Sequence, residues 1–269
     1  MPFTPSHAVV ALPFVRTPLV PAAIAIGSMT PDLPLFIGRI GVSYGVTHAW
    51  SWLPTTVLLA GVLLLAWRCL LRPAVRELSP AWLARRLPSS WDGGAGAALR
   101  ETFPSLRGVV LLTVSLPIGV ASHIVWDMFT HEGRAGVALL PVLDAEWGPL
   151  LGYKWIQYGS GVIGLAIIAA WMLVWLSRQE AATSVTRIVP TWIRWTWWLS
   201  LPIVLVVAWV GGWLMWGPFS DTFTPSHLVY RVLPQAAGVW GFATLLLAVA
   251  VQLLRRRRVV ATGAPAPTR

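Results

Sequence analysis

Five stretches of this chain, roughly 50–71, 108–130, 155–177, 195–217 and 233–254, are apolar over about the 20 residues that an α-helix needs to cross a bilayer. They narrow the fold more than any other feature. Inside hydrocarbon every backbone N–H and C=O must be satisfied by the protein itself, as a helix does within its own length. The stretches therefore predict an all-α, polytopic integral membrane helical bundle of about five transmembrane helices. Composition agrees, with 56% hydrophobic and 11% charged residues, against about 25% charged in soluble domains. The eighteen tryptophans suit the two bilayer interfaces.

The net charge of +10 would suggest nucleic acid in a soluble chain. Here the basic residues sit between apolar spans, so no nucleic-acid partner is expected and the charge is read as an orientation signal. Loop 72–107, loop 178–194 and the tail hold fourteen basic residues, while Arg39, Arg134, Lys154 and Arg231 lie in the alternate segments. That asymmetry is expected to place the arginine-rich side and the C-terminus in the cytoplasm, and segments 31–49, 131–154 and 218–232 outside. Residues 1–258 read as a single membrane domain with 72–107 as a cytoplasmic basic loop, and 259–269 as a disordered tail. The opening residues lack the basic start of a cleavable signal, and the lone Cys69 excludes an internal disulfide.

Residues 5–30 are apolar but interrupted by Pro13, Arg16, Pro18 and Pro21. Interior prolines remove helix hydrogen bonds and clash with the preceding turn. Two short helices, about 5–14 and 18–29, are therefore expected as a broken re-entrant hairpin, which would bring His7 next to Asp32. Phe-Thr-Pro-Ser-His occurs at 3–7 and again at 223–227, and each Thr-Pro reads as a helix cap followed by its first residue.

The chemistry concentrates in His123-Ile-Val-Trp-Asp127-Met-Phe-Thr-His131. Residues at i, i+4 and i+8 share a helix face, each turned by about 40°. Ionisable groups at membrane depth are costly and persist where they pair, line a cavity or bind an ion. On the expected topology Asp32 and His48 fall on the same side as this row, His7 joins through the hairpin, and His227 starts the last span there. Neutral imidazole and carboxylate are the ligands of zinc, manganese and iron. The candidate metal ligands are His7, Asp32, His48, His123, Asp127 and His131, with zinc favoured over manganese or iron. Bland alternatives stand beside each: a His123–Asp127 helix pair, a turn role for Asp32, an interfacial His48, a solvated His131 and a structural His227. Asp144, Glu146 and Asp221 read as solvated loop acids.

Taken together, the opening Pro-Phe-Thr-Pro-Ser-His, Gly27-Ser28-Met29-Thr30-Pro31-Asp32, Thr47-His48 and Ser122-His123-x-x-x-Asp127 resemble the blocks of a bacterial membrane-protein family of unknown function. Their order is similar to that of predicted membrane-bound metal-dependent hydrolases and, more remotely, of zinc-dependent phospholipase C. The resemblance implies His7, Asp32, His48, His123 and Asp127 as the matching positions. It departs where those hydrolases read Asp-x-Asp, since Asp32 is followed by Leu33-Pro34.

The expected activity is hydrolysis of a lipid-linked or envelope ester or phosphoester. A divalent metal would lower the pKa of bound water, and Asp127 or Asp32 would take the proton. A membrane lipid or lipid-linked molecule is the expected substrate. The alternatives are a metal- or proton-coupled transporter and a non-catalytic membrane protein fastened by its polar cluster.

Overall fold

The structure, a computed structural model, describes residues 3–38 and 41–262. It is predominantly helical, and among the described residues five helices are long and apolar enough to cross a membrane. Those segments are α2 (Trp50–Leu78), α3 (Leu106–Thr130), α4 (Gly152–Ser177), α5 (Thr191–Trp216) and α6 (Pro225–Thr262), preceded by the short α1 (Pro21–Met29). All five expected spans are present. α6 starts earlier and continues to Thr262, into the stretch expected to be a disordered tail; residues 263–269 lie outside the described residues.

Two compact units can be distinguished. The first comprises Met1–Pro34, Val42–Leu65 and Thr102–Arg178. Its N-terminal segment is broken where the prolines require it. A 3-10 helix covers Thr4–Phe14, a turn follows in which the Thr17 hydroxyl donates to the Phe14 carbonyl at 2.9 Å, and Pro21 opens α1. The two arms fold back, and the Thr4 hydroxyl donates to Asp32 Oδ2 at 2.6 Å. Phe3, not Thr4, precedes the first helical turn, so the hydroxyl expected to cap a helix holds a carboxylate instead.

α1 packs against α3 backbone to backbone. A methyl group on Gly27 would lie 2.6 Å from the Leu116 carbonyl oxygen, and one on Gly119 would lie 2.2 Å from that of Ile24. Small residues at such a crossing are a common way for membrane helices to approach closely. The Ser115 hydroxyl also accepts the Val20 N–H at 2.9 Å, anchoring the entry to α1. Across the same unit Gly164 of α4 leaves room for Ser6. α3 starts on a Ser105 side-chain cap to the Gly108 N–H. Between α3 and α4 lie a short helix, Ala135–Leu139, and a two-residue hairpin turning at Gly148, whose φ is +72°.

The second unit comprises Leu35–Gly41, Ala66–Glu101 and Gln179–Arg269. Its part of the stretch read as a basic loop is folded into short helices. Arg72 and Arg76 are buried. Arg72 makes a two-pronged pair with Glu101 at 2.8 and 2.5 Å, and Arg76 pairs with Asp92. Glu77 is fully buried; its Oε1 accepts the N–H groups of Ile188 and Val189 at 3.1 and 2.9 Å, and Arg255 approaches Oε2 at 3.4 Å. Ala74, Leu78, Val189, Ala248 and Val251 form the adjacent apolar core.

Candidate metal centre

Four side chains converge inside the first unit. Asp32 ends the 3-10 turn Thr30–Asp32 after α1, and His48 follows the short helix Tyr44–Thr47. His123 and Asp127 lie one turn apart near the end of α3. All four are buried, and one ligand atom from each lies within 4.8 Å of all the others. The turn carrying Asp32 is tied to the helix carrying His48 by the Thr47 hydroxyl, which donates to the Pro31 carbonyl at 2.7 Å.

The hydrogen bonds around the rings determine what those atoms can do. His123 Nδ1 is 2.7 Å from the Ser28 carbonyl oxygen, and His48 Nδ1 is 2.9 Å from that of Tyr44. A carbonyl only accepts, so both Nδ1 atoms carry hydrogen, which in the neutral ring leaves Nε2 as the lone-pair atom. The two Nε2 atoms face each other across 3.2 Å. Asp127 Oδ2 lies 3.4 Å from each Nε2, and Asp32 Oδ1 lies 3.8 Å from that of His48 and 3.7 Å from that of His123. Four electron-rich atoms thus surround one point in a buried space.

Five edges of this tetrahedron therefore measure 3.2 to 3.8 Å. A regular tetrahedron with such edges has centre-to-corner distances of about 2.0 to 2.3 Å, the range of zinc–nitrogen and zinc–oxygen bonds. Backbone or hydroxyl partners of the kind that orient metal ligands are in place too: the two carbonyls for the imidazoles and Thr4 for Asp32. The group could hold a metal ion.

His7 and His131 flank the four. His7 stacks on His123 with ring centroids 4.0 Å apart, and its Nε2 is 3.9 Å from Asp127 Oδ1. Neither of those two atoms has a hydrogen-bond partner, though both are buried. His131 adopts extended backbone at the end of α3, so it leaves the helical face on which the i+8 spacing had put it. Its Nδ1 lies 3.3 Å from the Asp127 carbonyl oxygen and its Nε2 lies 3.0 Å from the Gln157 amide nitrogen. Both ring nitrogens are thereby engaged, and burial lowers its pKa from the ordinary value. Tyr44 stacks on His48 and donates to Asp127 Oδ2 at 3.4 Å, and burial raises its pKa.

Two openings adjoin the cluster. An apolar groove of about 780 Å³ is walled by Val10, Val125, Trp126, Ile156 and Ile163, with His7 among its lining residues. A smaller cavity of about 200 Å³ is lined by His48, Asp127 and Arg134.

Thr4, Tyr44, Gln157 and the Ser28 carbonyl escaped the sequence reading. Thr4 had a signal in its place three residues before His7, but the same pair elsewhere has another use. At 224–227 the Thr224 N–H donates to His227 Nδ1 at 3.1 Å, so His227 holds its own helix start, as the structural reading of it expected. Asp144, Glu146 and Asp221 are exposed, as expected.

A multi-pass helical membrane protein with a buried histidine–aspartate group fit for a metal ion is the class that fold and geometry define. The chain belongs to the family described as Domain of unknown function (DUF4184), whose model matches residues 1–254. Neither the curated proteins nor the solved structures contain a match to it.

Proposed function

We propose that this chain is a membrane-embedded, metal-dependent hydrolase acting on a lipid-linked or envelope ester or phosphoester. The observation that carries the reading is the pair of Nδ1-anchored imidazoles whose Nε2 atoms, with two carboxylates, outline a tetrahedron of zinc-bond dimensions. Zinc is the favoured ion, since two nitrogens and two oxygens suit it, with manganese or iron next. Asp32, His48, His123 and Asp127 would hold the ion, and when bound it would supply Lewis-acid chemistry to the ester and a more acidic water.

The chain's own residues divide the remaining work. Asp127 turns Oδ2 toward the two imidazoles and keeps Oδ1 without a hydrogen-bond partner, 3.9 Å from His7 Nε2. Asp127 Oδ1 takes the proton from the attacking water as its oxygen bonds to the ester carbon or phosphorus. The proton then passes to the departing alcohol oxygen as the ester bond breaks, with His7 placed to share it. Asp32, its Oδ2 held by Thr4, is the alternative base. His131, tied to Gln157, positions Asp127. The apolar groove beside His7 suits the acyl chain of a substrate that stays in the membrane, and Arg134 beside Asp127 and His48 suits its phosphate. The arginine asymmetry favours an orientation with the cluster facing outward and the C-terminus in the cytoplasm, and the resemblance to bacterial membrane proteins favours a bacterial cell membrane.

One broken segment beside the cluster favours a second reading, metal or proton transport. A single experiment separates the two. The purified wild type is assayed for bound metal, for phosphodiester and ester turnover and, in liposomes, for metal flux, beside His123→Ala and Asp127→Ala. Stoichiometric metal with turnover, both lost in the variants, supports the enzyme. Flux without turnover supports transport. A wild type without metal overturns both metal readings. Reporter fusions in the 72–107 loop and the tail test the orientation, and finding either outside reverses it.

A further inference from the structure

The second unit contains a basic pocket that has no part in the metal centre. It is a cavity of about 490 Å³ at the start of α5 and the end of α2, lined by Arg85, Arg187, Thr191, Arg194, Trp195 and Trp198, among others. Both elements are membrane spans, so their ends mark the depth of lipid headgroups. We propose that this pocket binds the phosphate of an anionic phospholipid, with its glycerol end against the two indoles.

Charge carries the argument. Arg187 and Arg194 are held in the wall by carbonyl groups: Arg187 donates to those of Glu77 and Ser79, and Arg194 to that of Val189. Carbonyls orient a guanidinium without cancelling its charge. The nearby carboxylate, Glu77, is fully buried; it accepts from two backbone N–H groups and lies 3.8 Å from Arg194 and 3.4 Å from Arg255, so one carboxylate charge is shared by two cations and the pocket keeps a positive excess. Arg85, exposed at the end of the short helix Ala81–Ala84, adds a third cation to the lining. No acidic side chain lines the pocket among the described residues. Thr191 opens a helix of 26 residues whose preceding Pro190 makes no side-chain cap, so its first N–H groups add to the positive end. Trp195 is 64% and Trp198 44% exposed, as expected of indoles that meet lipid at the interface. Basic pockets between membrane helices are recognised sites for anionic headgroups.

The test uses the full chain in non-ionic detergent, titrated separately with dioctanoyl phosphatidylglycerol, dioctanoyl phosphatidylcholine and inorganic phosphate, with thermal unfolding as the readout. Phosphatidylglycerol is expected to raise the melting temperature saturably and phosphatidylcholine to leave it unchanged. Arg85→Gln, which removes an exposed cation, should weaken half-saturation by phosphatidylglycerol about fivefold, the value of one basic residue near an anionic headgroup. Trp195→Ala should weaken it as well. Arg178→Gln, which removes an exposed arginine that does not line the pocket, should not. Equal responses to both lipids overturn the proposal, as does an Arg178→Gln loss equal to that of Arg85→Gln. Half-saturation by inorganic phosphate at the same concentration as the lipid overturns the lipid assignment.

Discussion

Gly119→Ala should weaken the metal centre without touching any of its side chains. The new methyl would sit 2.2 Å from the Ile24 carbonyl oxygen, 2.8 Å from the Ser28 nitrogen and 3.0 Å from Gly27 Cα. All three are backbone atoms and cannot rotate away. Restoring an ordinary carbon–oxygen contact requires α1 and α3 to part by about 1 Å, and overpacking of this kind costs about 1–3 kcal/mol. The same movement stretches the 2.7 Å bond between His123 Nδ1 and the Ser28 carbonyl oxygen beyond hydrogen-bonding range. Loss of such an orienting partner weakens metal affinity about 10- to 100-fold. The assay is metal content after dialysis, followed by chelator competition on protein whose helicity is confirmed by circular dichroism. Gly159→Ala is the control, because a methyl there meets nothing within 4 Å. A Gly119→Ala protein that is helical and binds metal with wild-type affinity would refute the view that the glycine crossing sets the site.

Thr4→Val removes the hydroxyl on Asp32 Oδ2 and should weaken metal binding about 10-fold, measured by the same competition. Acid should release the metal. The ligating imidazole nitrogens and carboxylates must be free of protons to bind, so metal content should fall as the pH of dialysis is lowered; metal content that does not change with pH would argue against histidine ligation. In the second unit, Glu77→Ala should lower stability by about 2–4 kcal/mol, because it leaves two backbone N–H groups without their acceptor and removes the carboxylate beside the half-buried Arg194 and Arg255. Thermal unfolding checks this, and a melting temperature within about 2 °C of wild type would contradict it.

The helices were legible because hydrocarbon leaves the backbone no freedom: a long apolar run must be a helix. The break at Pro13–Pro21 was legible for the same reason, as each proline subtracts a bond that the bilayer cannot replace. The His123–Asp127 pair followed from helical periodicity. What the sequence could not show was the partner chosen by each polar group. Thr4 could cap a helix or hold a carboxylate, and the choice depends on an arm 28 residues away. His131 obeys the i+8 rule only if the helix continues, and α3 ends one residue earlier. The arginines of 72–101 read as an orientation signal in the sequence, yet two of them are buried against acids whose contact no local pattern announces. Gly27 and Gly119 look like ordinary small residues until the crossing of their helices makes them indispensable.

Electrostatics narrows what can sit among the four ligand atoms. Asp32 and Asp127, when both are ionised, would bring two negative charges into a space where their side chains are 2% and 4% exposed, and neutral imidazoles would bring none. Leaving such charges uncompensated costs several kcal/mol each. A proton shared between the facing Nε2 atoms would relieve their repulsion and offset one charge, whereas a divalent ion would offset both and satisfy all four atoms. Bound metal should therefore contribute directly to stability. At about 1,000 times its dissociation constant a ligand adds ~4 kcal/mol, which for a chain of this length corresponds to roughly 8–16 °C in melting temperature. Chelation should lower the wild-type melting temperature by that amount and leave Asp127→Ala unmoved. Identical wild-type melting with and without chelator would assign the relief to the proton and remove the basis for metal chemistry at this site.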